Sequence, residues 1–262
     1  MMDASQILLV GGGAFLAGGM NAMAGGGTFF SFPALLAAGV PPVMANASNS
    51  VAMWPASLSS AWAYRREVSR HPRWTALLVA LSFVGGICGG LLLLSTSNAA
   101  FSRLVPWLLL VATALFAFSG QVSRVVAAAK ARLGMGKAEG GTPGGIGGLV
   151  FQFIVAVYGG FFGAGMGILT LAALAIQGVE DIQELNGLKN LTSAVNYTVA
   201  AATFIIAGAI SWPHTLLMIA TAMVGALAGA SLARRLPAIW LRRLVVAVGA
   251  ALSVIYFIKT YS

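Results

Sequence analysis

Long apolar blocks follow one another from end to end of the 262 residues, and nearly all the charge falls between them. A chain patterned this way has few options. In hydrocarbon every backbone polar group must find its partner internally, which leaves the helix as the spanning unit for blocks of this length. Composition agrees, with 59% of residues hydrophobic and 8% charged, against about 25% charged in soluble domains. The reading is an all-α, polytopic membrane protein with the lipid bilayer as its surroundings. No Lys or Arg precedes the first block and no small-residue cleavage site leads into a polar region, so a secretory signal is not expected. The net charge of +9 sits mostly between apolar blocks, where it sets orientation; no nucleic-acid partner is expected. The single Cys, Cys88, lies inside a block, which excludes a disulfide or a Cys-based metal site.

Five apolar segments precede the middle of the chain, at 5–23, 26–39, 44–64, 73–95 and 99–119. Five follow it, at 146–164, 165–178, 183–208, 212–232 and 238–259. The chain therefore divides into a first repeat, 1–120, a linker, 121–145, and a second repeat, 146–262. Within the linker, Val122, Val125, Val126, Ala129 and Leu133 share a face with Arg124, Lys130 and Arg132 elsewhere, a pattern that suits a helix at the membrane surface. The Gly-rich stretch after it reads as a flexible connection. The halves overlay: Ala24-Gly25-x-Gly27 recurs 140 residues later as Ala164-Gly165-x-Gly167, and Gly85 and Gly89 recur at the same shift as Gly225 and Gly229. Basic clusters follow the third and fifth segments and the ninth. If all three face the cytoplasm, the third segment runs inward and its counterpart outward. Five segments per unit then make the repeats inverted, an architecture that places substrate near the midplane between them.

The second segment has about 14 residues, roughly 21 Å of helix, short of a ~30 Å hydrocarbon core. Glycines also interrupt the first segment at 11–13, 18 and 19. Each Gly-rich turn is expected to lie near the midplane and to start a short half-helix, at Gly25, Gly26, Gly27 and Thr28 and again at Gly165, Met166 and Gly167. Non-helical backbone at such depth is tolerated where it lines a cavity. Unpaired N–H groups and the positive end of the helix dipole would then face that cavity, and two convergent starts make an anion site. Gly85-x3-Gly89 and Gly225-x3-Gly229 read instead as close helix packing.

Polar residues inside the apolar segments point the same way. Asn21 precedes the first turn; Asn46, Ser48, Asn49 and Ser50 open the third segment. Their counterparts lie near Lys189 and Asn190, followed by Thr192 and Asn196. Asn46, Asn49 and Ser50 share a helical face, as do Lys189, Thr192, Ser193 and Asn196. Lys189 is the sharpest of them, a basic residue well inside a segment, where ionisable groups are expensive and functional by default. The rival readings are a Lys snorkelling to the interface, or one paired with Glu184. All six acidic residues lie at ends or loops, so no embedded carboxylate carries a proton or binds a cation. His71 and His214 lie beside prolines in loops. A lipid-phosphate hydrolase would need an acid or base near its site, and the chain offers little; no catalytic residue and no cofactor is implied.

The stretches "GMNAMAGGGTFFSFPALLAAGVPPVMANASNS", "GGFFGAGMGILTLAALAIQGV" and "LNGLKNLTSAVN", with the basic loop "RREVSRHPRW" leading to Trp, resemble the sulfite exporter family TauE/SafE over almost the whole chain. The resemblance implies a bacterial inner-membrane permease for small anions such as sulfite, sulfoacetate or related organosulfonates, usually outward. One departure is Ala173 where the first repeat has Pro33, which bears on whether both half-helices contribute equally. The expectation is a secondary transporter working by alternating access, with a homodimer as the candidate assembly. Rivals are a permease for a carboxylate, neutral or cationic metabolite, and a non-transport membrane enzyme or assembly subunit.

Overall fold

The computed structural model describes residues 2–23, 26–66, 68, 72–132, 146–179, 181–233 and 238–261. Among them are ten helices and no strand: α1 (Ala4–Met23), α2 (Thr28–Ala37), α3 (Pro42–Ala63), α4 (Pro72–Ser95), α5 (Asn98–Arg132), α6 (Ile146–Phe161), α7 (Met166–Ile176), α8 (Ile182–Ile206), α9 (Trp212–Ala233) and α10 (Ala238–Tyr261).

Local chemistry sets several starts. At α1 the Asp3 carboxylate accepts the Gln6 N–H at 2.7 Å while Gln6 Oε1 takes the Asp3 N–H at 3.2 Å, a capping box. The Gln6 N–H, and after it the Ser5 hydroxyl, hold the Asp3 carboxyl below its ordinary range. Pro42 opens α3, where a missing N–H costs nothing. Asp181 caps α8 by accepting from the Gln183 and Glu184 N–H groups. α5 continues past 119 through the stretch expected at the membrane surface, ending at Arg132; residues 133–145 lie outside the described set.

Among the described residues, four stretches are long and apolar enough to cross a membrane: Pro72–Ser95, Asn98–Phe118, Trp212–Gly229 and Trp240–Tyr261. α3 and α8, of 22 and 25 residues, have the length but carry the polar residues. Those are turned inward: Asn46, Ser48, Asn49, Ser50, Thr192 and Asn196 are all buried, whereas Leu8, Leu16, Val84, Leu91, Val224 and Leu227 are exposed as a lipid-facing surface would be. The chain is a multi-pass membrane protein.

The glycines of α1 do not interrupt it, which corrects the expectation from sequence. A helical Gly costs about 1 kcal/mol against Ala, and here the loss is offset because the missing side chain admits a neighbour's backbone. A Cβ on Gly18 would collide with the Ala222 carbonyl, and one on Gly225 with that of Phe15. α1 and α9 thus run parallel, backbone against backbone. α4 and α6 repeat the arrangement, with Gly89 against Val157 and Gly160 against Gly86. Close packing is how Gly85, Gly89, Gly225 and Gly229 are used. Elsewhere α3 crosses α8 antiparallel, with Trp54 Nε1 donating to Thr198 Oγ1 at 2.9 Å and the Ser211 N–H donating to Ser48 Oγ at 2.9 Å. α5 and α10 are also antiparallel: Trp107 meets Phe257 at one end, and Arg242 donates to the Phe116 and Ala117 carbonyls at the other. A groove of about 530 Å³ opens between α1, α2 and α10, lined by apolar residues such as Leu9, Leu16, Phe30 and Ile255.

Candidate functional site

Two short helices follow Gly turns, as the sequence implied. α2 has 10 residues and α7 has 11. Gly26, Gly163 and Gly165 adopt φ of +82°, +80° and +76°, a left-handed backbone that side chains disfavour. Gly25 lies outside the described residues. Both turns abut the same stretch of α5: a Cβ on Gly26 would sit 3.1 Å from the Phe116 ring, and one on Gly165 would sit 3.7 Å from Ala112. Contact between the two runs through rings. Phe32 of α2 packs edge-to-face on Phe162 of the second turn with centroids 5.6 Å apart, and Phe101 touches Phe32, Phe161 and Phe162.

In the first turn the Gly27 N–H is claimed from within, while the Thr28 N–H meets no acceptor among the described residues. Asn21 Oδ1 accepts the Gly27 N–H at 2.8 Å, and Asn21 Nδ2 reaches Met53 Sδ at 3.4 Å. Ser31 Oγ donates to Asn49 Oδ1 and contacts the Gly27 carbonyl. Thr28 is buried. Further along α3, Ser50 Oγ donates back to the Asn46 carbonyl at 3.0 Å, and Asn46 Nδ2 donates to the Phe161 carbonyl at 2.8 Å. Asn46 thereby ties α3 to the end of α6. Ser48 points away from it, onto the start of α9. The helical face expected for Asn46, Asn49 and Ser50 exists, but Asn46 serves α6, Asn49 serves α2 and Ser50 bonds its own helix.

The second turn also keeps a donor free, and it has a basic residue beside it. Tyr158 OH donates to the Ala164 carbonyl at 2.6 Å, and the Met166 N–H to the Gly163 carbonyl at 3.2 Å. Gly165, the N-cap of α7, has no side chain to cap with. The Gly167 N–H meets no acceptor among the described residues. Lys189 lies alongside, its Cδ 3.7 Å from where a Cβ on Gly167 would be. Half-buried, its ammonium makes no hydrogen bond or ion pair among the described residues, so it is not held by Glu184. Asn190 follows it, also half-buried. Two turns along α8, Asn196 donates to the Ala156 carbonyl at 2.7 Å, and its Oδ1 is buried without a partner among the described residues. The Tyr197 hydroxyl lies 3.3 Å from the Cβ position of Gly163.

Sequence reasoning passed over Ser31, Tyr158 and Tyr197. Ser31 lies four residues after Gly27, on one helical face, and that spacing was the available signal. The two tyrosines were lost among scattered aromatics. Among the described residues no three His, Cys, Asp or Glu side chains gather where a metal could be held.

Comparison with known proteins bears on this arrangement. A family model described as "Sulfite exporter TauE/SafE" matches residues 10–256. The chain is 28% identical over 226 residues to a "Probable membrane transporter protein" of Haemophilus influenzae, with 83% of this chain and 81% of the relative covered. It is 27% identical over 248 residues to "Probable membrane transporter protein ORF9" of a Sinorhizobium species, covering 92% and 88%. Identity to "Probable membrane transporter protein YfcA" of Escherichia coli K12 is 26% over 245 residues, covering 92% and 85%. No solved structure matches the chain with significance.

Proposed function

The chain belongs to the sulfite exporter TauE/SafE family of membrane transporters, and from that premise we propose that it carries small anions, sulfite or organosulfonates such as sulfoacetate, out across a bacterial cytoplasmic membrane. One observation carries the anionic reading: Lys189, whose ammonium has no partner among the described residues, lies beside a helix start whose Gly167 N–H meets no acceptor among them. A helix N-terminus favours negative charge within its first turn. A cation placed there would meet repulsion from both Lys189 and the dipole. With the Gly27 N–H taken by Asn21 and Lys189 beside Gly167, the second turn is the stronger candidate for holding the anion, and Asn46 and Asn49 position the elements around it.

Transport follows by alternating access between two inverted repeats. The antiparallel crossings α3 with α8 and α5 with α10 support that relation, as do the reciprocal pairings α1 with α9 and α6 with α4. With the cell interior negative, moving one anion outward gains about 2.3 kcal/mol per 100 mV. Export therefore requires no embedded carboxylate.

The test is anion binding and flux. Sulfite and sulfoacetate should raise the melting temperature of the purified protein and cross liposomes that contain it. Lys189→Ala should lower affinity about tenfold or more, as loss of a charge-assisted contact does, and Lys189→Arg should restore part of it. Unaltered binding in Lys189→Ala, or stabilisation by organic cations alone, overturns the reading.

A further inference from the structure

The groove between α1, α2 and α10 is apolar along its length and has a single charged side chain, Lys259, in its lining. The turn before α2 lies against Val245 and the Phe29 ring against Gly249; from there the groove follows α10 to Lys259. Leu9, Leu16 and Ile255 line it and stay 42%, 51% and 55% exposed, so it opens sideways onto whatever surrounds the helices. Those surroundings are lipid, because α10 contains the membrane-crossing stretch Trp240–Tyr261. From Val248 to Lys259 the rise is about 16 Å, half of a ~30 Å hydrocarbon core. The groove is therefore as long as one leaflet is deep. Its charged end lies at headgroup level. Trp107 Nε1 donates to the Tyr261 hydroxyl at 3.2 Å, and that hydroxyl donates to the Arg103 carbonyl at 3.0 Å. Trp and Tyr collect where hydrocarbon meets headgroups, and Lys259 is one helical turn or less from Tyr261.

We propose that the groove holds one acyl chain of an anionic phospholipid, with the lipid phosphate at Lys259. The proposal needs only the membrane setting and is independent of the transported anion. Charge supports it. Lys259 is exposed, and its ammonium has no partner among the described residues. No acidic residue lies on α2 or α10, and Asp3, ahead of α1, is engaged by the Gln6 N–H and the Ser5 hydroxyl. A basic group at the membrane surface attracts an anionic lipid. Width argues against a protein segment. A volume of about 530 Å³ spread over that length leaves a cross-section of about 33 Å², whereas a helix 10–12 Å across needs about 80–110 Å². A single file of methylenes fits, and by filling the groove it restores contacts that a void forfeits. A second copy fits no better. An isologous contact puts the same patch on both partners, so two concave faces would meet with both Lys259 side chains on one rim.

The experiment is native mass spectrometry of the purified, delipidated full-length protein, titrated with phosphatidylglycerol or phosphatidylcholine of the same acyl chains. One phosphatidylglycerol per chain should bind about fivefold tighter than phosphatidylcholine, which is what one basic residue near a membrane surface is worth. In Lys259→Gln that ratio should fall to about one, and Lys259→Arg should keep it. Ala37→Trp, which puts an indole into the groove from an exposed position on α2, should remove the bound lipid of either kind. Lys259→Gln, exposed in the last turn of α10, keeps the test decisive should Ala37→Trp fail to fold. Equal binding of the two lipids to the wild-type protein overturns the proposal, as does an unchanged ratio in Lys259→Gln or a lipid retained by folded Ala37→Trp. A dimer that Ala37→Trp splits would also overturn it, and would assign the groove to a second copy of the chain.

Discussion

At the scale of single residues, the glycines separate into two kinds that look identical in the sequence. Gly18, Gly89 and Gly225 are places where another helix's carbonyl occupies the space of a side chain. Gly12 and Gly147 meet nothing within 4 Å. Gly18→Ala should therefore destabilise the protein by about 1–3 kcal/mol, the usual range for overpacking a fitted contact. Gly12→Ala, on the exposed side of the same helix, should be neutral or should stabilise by about 0.5–1 kcal/mol through helix propensity. Melting temperatures of the two variants in one detergent settle it; equal shifts would show that the α1–α9 contact is looser than described. This is also why the expected break in α1 was wrong. Composition records that a glycine is present, but only a partner's backbone decides whether it ends a helix or lets one in.

Among the elements, the two Gly turns share a role in the chain yet differ in chemistry. Their existence was legible from sequence, because a ten-residue apolar helix after three glycines has no other economical explanation. Their inequality was not. It depends on Asn21, six residues before Gly27, reaching forward to take its N–H, and nothing about an isolated Asn in an apolar block announces that reach. Pro33 against Ala173 suggested some asymmetry, and the difference instead shows itself at the helix starts. The burial of Asn46, Ser48, Asn49 and Ser50 followed from their polarity inside a spanning helix, but their separate partners follow only from how α3 lies among α2, α6 and α9. Asn21→Ala should leave the Gly27 N–H unmet and cost about 1 kcal/mol, as loss of a helix cap does. Faster amide exchange at Gly27 and along the first turn of α2, with α7 unaffected, is the expected signature. Equal exchange in both helices would mean that Asn21 is not what holds that start.

At the scale of the whole molecule, the ten helices among the described residues interleave the two halves of the chain. Orientation is testable directly. In a Cys88→Ser background, Ser97→Cys and Ala207→Cys, both exposed in short connections, should react with a membrane-impermeant maleimide added outside intact cells. Arg66→Cys, in a basic connection, should react only after the cells are opened. Labelling of all three from one side would contradict the inverted arrangement. The pairing of α1 with α9 and of α6 with α4 also changes what can move. Each half lends a hairpin to the other and receives one back, so a body that shifts during transport must be assembled from both ends of the chain. A half-length version would be left with a bare furrow of main chain, and it would need a second copy of itself, lying the opposite way up, before that furrow was filled.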